Sequence, residues 1–184
     1  MRKTTIWIVI AIVVLIAAAV TIVRMRRPPR PAAIDLVAMF PDAEKRTTMP
    51  SLHDAFAVET VTIDGVTRRS ILALPSSRII WTIDVPQGAV LKTSFAIRPD
   101  AWPWPGDGAV FRVGISDKKE FHDFVRQWVN PYGHPKHQHW FNASVDLTPY
   151  AGKRVEVIFN TEPGPSNNAV YDAAVWGDPK IERQ

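Results

Sequence analysis

The feature that most constrains this chain is a long uncharged apolar run near its N-terminus. Residues 4–23 read TTIWIVIAIVVLIAAAVTIV, and basic residues flank them on both sides. A helix rises about 1.5 Å per residue, so twenty residues span about 30 Å, the thickness of a bilayer's hydrocarbon core. The run therefore predicts one transmembrane helix, within an N-terminal membrane anchor over residues 1–27.

A cleaved signal peptide is the competing interpretation of this segment, with Ala17 and Ala19 as small residues near a cleavage site. We favour an uncleaved anchor because the apolar run continues through Val23. The basic residues are nearly balanced across the run, with a slight excess on the C-terminal side that favours a cytoplasmic domain. The sequence features of the domain, described below, favour the opposite orientation. We therefore expect a single-pass membrane protein with an extracytoplasmic domain.

Charge is unevenly placed along the chain. Six of the 22 Lys and Arg residues lie in the first 30 residues, which contain no acid, so the rest holds 16 basic and 18 acidic residues. A slightly acidic domain argues against a nucleic-acid partner, which requires a basic face on the folded part. The chain has no cysteine. Disulfides, thiolate metal sites and thiol nucleophiles are therefore excluded.

Beyond the anchor, the sequence changes to short alternating apolar runs. Prolines in residues 28–33 predict a stiff, extended stalk. Alternation of apolar and polar residues then indicates half-buried strands. These strands are predicted at residues 34–40, 57–63, 66–74, 78–85, 89–97, 109–115, 140–147, 154–161 and 168–176. We expect 140–147 to pair with 154–161 across the intervening turn. The pattern predicts an all-β domain over residues 34–184, an antiparallel β-sandwich with a jelly roll as first choice.

Several short motifs resemble those of a known family. In the last third they are Val145-Asp146-Leu147, Tyr150-Ala151-Gly152, Tyr171-Asp172 and Trp176-Gly177-Asp178-Pro179, and further upstream Pro75-Ser76-Ser77-Arg78, Val85-Pro86 and the run from Gly106 to Phe111. In order and spacing they resemble galactose-binding-like jelly-roll modules, of the carbohydrate-binding-module type, in bacterial membrane and cell-surface proteins. The resemblance covers about residues 34–182.

The resemblance implies a sandwich fold, a non-catalytic role and carbohydrate as the ligand class. It also decides one ambiguous segment, residues 120–129, where Phe121, Phe124, Val125 and Trp128 have helical spacing. On pattern alone this segment is a helix, but the resemblance favours a strand. No catalytic or phosphate-binding motif occurs in the sequence. We therefore expect a membrane-anchored binding module for carbohydrate or cell-envelope glycan; the alternative is an interaction domain of a membrane protein complex with no glycan ligand.

The candidate ligand site is the loop from Arg98 to Gly108. Trp102 and Trp104 alternate there with prolines, and flat aromatic faces on a rigid loop suit stacking against a sugar ring. Arg98 and Asp107 are the candidate partners for sugar hydroxyls. The competing interpretation is that one or both indoles close the end of the sandwich, because large aromatic side chains usually bury themselves.

Metal sites are weaker candidates. Asp107, Asn168 and Asp172 carry the oxygen ligands that calcium prefers, and related modules often bind structural calcium, so these residues are candidate ligands of a structural calcium ion. Asp172 is otherwise interpreted as a hydrogen-bond acceptor for loop amides. His134, His137 and His139 have a spacing that could bind zinc or copper, but solvated loop histidines explain them more simply. We expect no other cofactor.

Overall fold

The computed structural model describes residues 33–183, which form a sandwich of two antiparallel sheets. This confirms the predicted all-β class. The predicted anchor and most of the predicted stalk lie outside the described residues. Within residues 33–183, no helix has the length and apolar character needed to cross a membrane.

The larger sheet has the strand order β3-β4-β11-β6-β9, and β1 pairs with the far half of β11. Its strands are β1 (Ile34–Asp35), β3 (Phe56–Ile63), β4 (Val66–Ala73), β6 (Ala89–Ile97), β9 (Phe141–Asp146) and β11 (Ala174–Arg183). The smaller sheet has the order β2-β5-β10-β7-β8. Its strands are β2 (Glu44–Thr47), β5 (Ser77–Asp84), β7 (Ala109–Ser116), β8 (Phe121–Val129) and β10 (Arg154–Pro163).

Helical structure is limited to short connections. The one α-helix of the described residues, α1, spans Leu52–Ala55 and is capped by Ser51, whose side chain accepts from the amide of His53. The 3₁₀ turns are Phe40–Asp42, Pro99–Ala101, Pro135–His137 and Thr148–Tyr150. Each has a proline in its first positions, where a missing amide proton costs nothing.

An aromatic cluster holds the two sheets together. Trp176 of β11 lies 4.4 Å from Phe159 of β10 and 5.0 Å from Phe111 of β7, measured between ring centroids. Phe95 of β6 stacks on Phe111 at 4.8 Å. The Trp176 indole nitrogen donates to Thr161 Oγ1 at 3.1 Å, so the buried ring leaves no polar atom unsatisfied. Trp176, Phe159 and Phe111 are at most 1% exposed.

Two strand assignments made from the sequence need correction. The predicted closing strand at 168–176 is wrong, because residues 168–173 are loop and the strand is Ala174–Arg183. The Gly177–Pro179 segment resembles a terminating turn, but it is a register shift inside β11. The predicted strand 34–40 is reduced to Ile34–Asp35, and Glu44–Thr47 was not predicted at all.

The predicted pairing of 140–147 with 154–161 is also wrong. β9 pairs with β6 in the larger sheet, whereas β10 pairs with β5 and β7 in the smaller one. The connection crosses between the sheets, and Gly152 adopts φ +76° there while its amide donates to Val85 O. A turn between two sheets and a hairpin turn use the same residue types, so local sequence does not separate them.

Residues 121–129 form a strand, as the resemblance implied. Val113 pairs with Val125 and Gly114 with Asp123, so Phe124 is the extra residue of a β-bulge. A bulge interrupts the two-residue alternation, which explains the helical spacing of the apolar residues. Phe121 lies over Gly114, where an added Cβ would meet its ring at 2.3 Å.

Candidate functional site

The loops 98–108, 130–140 and 164–173 meet at one end of the sandwich, called the loop end below. Strands β6, β8 and β10 end there, and β7, β9 and β11 begin there. The registers fix this arrangement, because Ala109 pairs with both Val129 and Pro163, and Ile97 pairs with Ala174. Loops held on a rigid scaffold in this way are common positions for binding residues.

Trp102 and Trp104 have different environments at the loop end. The Trp102 indole nitrogen donates to Ile97 O at 2.7 Å, and its ring packs against buried residues of the larger sheet. Trp104 is 52% exposed. The structure thus places Trp102 as a partly buried cover of the sheet and leaves Trp104 as an accessible aromatic surface.

Trp104 is accompanied by aromatic side chains from the other loops. Its ring is nearly parallel to that of Tyr171, at an angle of 19° and with centroids 5.6 Å apart. Tyr171 is 46% exposed and Tyr132 is 53% exposed, and both line the same shallow depression as Trp104. Neither tyrosine was predicted as a site residue. Tyr171 is also held at φ +66°, a conformation that bulky residues rarely adopt and that often marks functional positions.

Asp172 lies buried beneath this aromatic surface. Its Oδ1 accepts from the amide of Gly108 at 3.0 Å, which confirms the interpretation of this carboxyl as an acceptor for a loop amide. Its Oδ2 is buried with no hydrogen-bond partner among residues 33–183. Burial, with a further contribution from Asp107, raises the pKa of Asp172 to about 7, while the Gly108 amide acts in the opposite direction. Asp172 thus carries a proton over much of the acidic pH range.

Asp107 lies beside Asp172 and anchors the neighbouring loop. Its Oδ2 accepts from the amide of Ser166 at 2.6 Å, and its carbonyl oxygen accepts from the Trp128 indole at 2.9 Å. Its Oδ1 is buried, without a hydrogen-bond partner in the described part of the chain. Gly164 packs so closely that an added Cβ would lie 2.7 Å from the Asp107 carboxyl carbon. The carboxylate therefore fixes loop 164–173 against loop 98–108.

The loop end supplies some but not all of the oxygen ligands that a calcium ion requires. Asp107 and Asp172 each present one unpartnered oxygen, whereas calcium takes about six to eight oxygen ligands. The side-chain oxygen of Asn168, the third candidate, accepts from the amide of Val170 at 2.9 Å. Residues 33–183 contain no group of three or more His, Cys, Asp or Glu side chains suited to a metal. The carboxylates suit calcium in kind but not in number, and the calcium site stays a prediction.

Arg98, a predicted hydroxyl partner, is engaged within the protein. Its guanidinium donates to both oxygens of Asp100, at 2.6 and 2.8 Å, and to Glu59 at 3.1 Å. The paired hydrogen bonds with Asp100 raise the pKa of Arg98, and the same bonds hold the pKa of Asp100 below its usual range. Arg98 thus ties the start of the loop to β3, and it does not line the depression beside Trp104.

The histidines of loop 130–140 are packed among aromatic rings. His134 and His137 lie 5.1 Å apart between ring centroids, and Trp128 meets both edge to face. His137 Nδ1 accepts from the amide of Asn130 at 3.1 Å, so the lone pair on that nitrogen is used. Burial, followed by electrostatic effects of His134, Lys136 and His139, lowers the pKa of His137. This geometry favours a neutral, structural His137 and not a zinc or copper ligand.

A second concave region lies on the outer face of the larger sheet. This outer groove is defined by Asp35, Arg68, Lys92, Asn142, Ser144 and Lys180, and it has a volume of about 620 Å³. Its walls come from β1, β4, β6, β9 and β11. The sequence analysis did not identify it, because its residues come together only when these strands pair.

Comparisons with known proteins define the fold. No protein-family model matches the chain. A protein of unassigned function from Archaeoglobus fulgidus is 43% identical over 102 residues, which cover 54% of this chain and 25% of that protein. The matched segment therefore spans about a quarter of this relative's length.

Two solved structures from Clostridium perfringens have a similar fold. One contains the CBM51-2 and INT domains of ZmpB with GlcNAc. It matches with a TM-score of 0.56 at 11% identity, and the match covers 84% of this chain and 32% of the ZmpB chain. The other is the CBM51 of a GH95 protein with methyl-galactose; its TM-score is 0.53 at 14% identity, covering 82% of this chain and 99% of that chain. The described domain thus has a jelly-roll fold similar to that of these two carbohydrate-binding-module structures, as the sequence motifs indicated.

Proposed function

We propose that this domain is a non-catalytic carbohydrate-binding module that binds neutral sugar at the loop end. The observation that carries the proposal is the exposed pair of near-parallel rings, Trp104 and Tyr171. Exposed aromatic faces bind the apolar C–H faces of sugar rings, and burying such a surface is favourable. The fold is that of modules solved with GlcNAc and methyl-galactose, which makes these sugars the first probes.

The loop end is built to hold this aromatic pair in place. Tyr171 precedes Asp172, whose carboxyl accepts from the amide of Gly108 in the loop that carries Trp104. Asp107 fixes the same two loops through the amide of Ser166. A surface that is already ordered loses little conformational entropy on binding. Tyr132 lines the same depression, and its hydroxyl is a hydrogen-bonding group of the kind that a sugar hydroxyl requires.

A titration of the full chain with methyl-galactoside and GlcNAc tests this proposal. The protein should be kept in a polyoxyethylene detergent, because detergents with sugar headgroups would compete for the site. We expect Trp104→Ala to weaken binding by about tenfold or more, equivalent to about 1.4 kcal/mol. Phe124→Ala removes an aromatic side chain of similar exposure, 45%, from the part of β8 that lies beside Tyr150, away from the loop end, and serves as the matched control. Equal affinities for wild type and Trp104→Ala would contradict the proposal.

We further propose that residues 4–23 anchor the domain in a membrane, with the domain on the extracytoplasmic side. Their length and lack of charge support the anchor, and a glycan ligand supports the orientation. Protease added to intact spheroplasts should digest the domain. Protection in intact cells, with digestion after lysis, would contradict the orientation and with it a surface-glycan ligand.

A second candidate function is an interaction domain within a membrane protein complex. It is favoured by strand β8, which ends the order of the smaller sheet and exposes Phe121 and Phe124 by 47% and 45%. An open strand edge with apolar side chains is a common docking surface. Phe124→Ala should then reduce co-purification with membrane proteins while Trp104→Ala leaves it unchanged. The opposite pattern would favour the carbohydrate site.

A further inference from the structure

Strand register places two lysines directly opposite each other in the outer groove. Lys180 of β11 pairs with Lys92 of β6, and Lys92 pairs with Ser144 of β9. Like charges at directly opposite positions of antiparallel strands are unfavourable. Such a pair on an open surface offers a position for a negatively charged group.

The neighbouring acid neutralises only one of the two charges. Glu182 forms ion pairs with Lys92 and with Lys180, the latter at 3.2 Å. The hydrogen bonds to both lysines lower the pKa of Glu182, so it is ionised at neutral pH. Lys92 and Lys180 remain 47% and 45% exposed, and each ammonium has three donors. One positive charge and several donors are therefore left for a ligand.

Arg68 adds a fixed donor to the groove. Its stem passes close to Gly177, where an added Cβ would lie 2.8 Å from Arg68 Cδ, and its guanidinium lies 5.6 Å from the Trp140 ring. Nη1 donates to Asp178 at 3.2 Å, while Nε is buried with no partner among residues 33–183. Asp178 adopts φ +44° at the irregularity in β11. Bulges and such conformations are frequent beside functional sites.

Charge and shape together define the class of ligand. No aromatic side chain is among the described residues that line the outer groove, so ring stacking cannot supply affinity there. Neutral hydrogen-bonding groups lie beside the lysines: Ser144 is exposed, and Asn142 accepts from Ser94 through its oxygen, leaving its amide nitrogen as a donor. The volume, about 620 Å³, lies within the range of about 300–1,000 Å³ common for ligand sites. An extended, hydroxyl-rich anion matches these features.

We propose that the outer groove is a second binding site, specific for an acidic saccharide. The sugar carboxylate pairs with Lys92 and Lys180, and its hydroxyls bond to Asn142 and Ser144. Asp35 and Asp178, which also line the groove, each pair with an arginine, Arg69 at 3.3 Å and Arg68 at 3.2 Å. The ligand class rests on the proposed carbohydrate function, but the residues are separate from those of the loop end.

Calorimetric titration of the full chain tests the proposal with trigalacturonate, size-matched neutral galactotriose and inorganic phosphate. We expect trigalacturonate to bind the wild type and to bind the Lys92→Gln/Lys180→Gln variant at least about tenfold more weakly. Ser144→Trp fills the groove without changing its charge and should cause a similar loss. Trp104→Ala should leave trigalacturonate affinity unchanged. Melting temperatures of each variant show whether the fold is retained.

The outcomes separate this proposal from the one for the loop end. If galactotriose binding fails but trigalacturonate binding depends on the lysine pair, the loop-end proposal falls and this one stands. Trigalacturonate affinity that is insensitive to both the lysine pair and Ser144→Trp would overturn it. Phosphate binding at equal affinity, lost in the same variants, would also overturn it, because the groove would then be a general anion site.

Discussion

The loop end and the outer groove present different chemistry on one domain. At the loop end, Trp104 and Tyr171 offer aromatic surface, and the acid beneath them, Asp172, has a pKa raised to about 7. The outer groove pairs Lys92 with Lys180 and has no aromatic side chain among its described lining residues. Stacking suits neutral sugars, whereas paired cations suit acidic ones. The two proposals thus assign two kinds of carbohydrate site to a single fold.

The two regions also differ in what determines their shape. At the loop end, backbone atoms are in close contact: a Cβ added to Gly108 would lie 2.2 Å from the carbonyl oxygen of Val129. At the groove, a Cβ added to Gly177 would meet side chains, those of Arg68 and Trp140. Side chains can shift more easily than backbone. We therefore expect large stability effects from substitutions of buried residues at the loop end and small ones from substitutions at the groove.

The strongest predicted change in stability is a pH dependence that comes from Asp172. Its pKa is about 7 in the folded chain against 3.8 as the ordinary value. Between about pH 4 and pH 7, Asp172 keeps its proton in the folded state but has lost it in the unfolded state. The resulting stabilisation is therefore complete below about pH 4, decreases as pH rises, and is lost above about pH 7. The gap corresponds to about 4 kcal/mol. Urea unfolding of the full chain at pH 5 and pH 8 measures the part of this loss that falls between those values, about 2.6 kcal/mol.

Asp172→Asn isolates this contribution. Asparagine keeps an oxygen for the Gly108 amide but has no proton to lose, so the variant should be more stable than wild type at pH 8 and should depend less on pH. Asp84→Asn, at a side chain 80% exposed, is the control and should leave the dependence unchanged. If Asp172→Asn keeps the wild-type slope, the account of the loop end is wrong.

Gly108→Ala should cost about 3 kcal/mol or more. Gly108 has φ +83°, and the new Cβ would clash with the backbone of β8 and the loop after it. Gly88→Ala is the matched control, because Gly88 has φ +65° but nothing within 4 Å of an added Cβ. It should cost about 1 kcal/mol from backbone strain alone. Chemical denaturation measures both, and equal costs would show that the loop end is not tightly packed.

Trp102 should contribute mainly to stability, and Trp104 mainly to binding. Trp102→Ala removes a ring packed on the sheet and a hydrogen bond of 2.7 Å, so we expect a loss of about 2–3 kcal/mol in stability. Trp104→Ala should cost about 0.5 kcal/mol or less, because its side chain is mostly exposed. Thermal melts compare the two. Similar losses for both would mean that Trp104 also has a structural role.

The smallest expected effect is at the groove. Lys180→Gln removes one of two opposed positive charges and an exposed ion pair with Glu182. These contributions are small and of opposite sign, so stability should change by about 0.5 kcal/mol or less. Denaturation in low salt measures the change. A loss above about 2 kcal/mol would show that the lysine pair serves the fold and not a ligand.

Much of the fold follows from local patterns. Alternation of apolar and polar residues identified most strands, because the side chains of a strand that is half buried in a sandwich point alternately to the core and to solvent. Strand β2 was missed because its residues, EKRT, show no apolar alternation. The partners of β9 and β10 were missed because a chain that crosses between sheets uses the same turn residues as a hairpin. Register and sheet membership depend on contacts distant in sequence.

The site was predictable only in part for the same reason. Trp104 stands in a proline-rich loop, which marks it in the sequence, but nothing local separates it from the covered Trp102. Tyr171 and Tyr132 reach Trp104 only because three loops meet at one end of the sandwich. The pairing of Lys92 with Lys180 requires the register of β6 and β11. Residues that act together across strands cannot be recognised before those strands are paired.

A glycan array probed with three forms of the full chain would show directly whether the domain binds neutral and acidic sugars at separate places. The forms are wild type, Trp104→Ala and Lys92→Gln/Lys180→Gln. We predict that Trp104→Ala loses neutral glycans and keeps acidic ones, and that the lysine variant shows the reverse. Loss of both classes in either variant, with the fold intact, would contradict two separate sites. Absence of any glycan binding by the wild type would contradict the carbohydrate function itself.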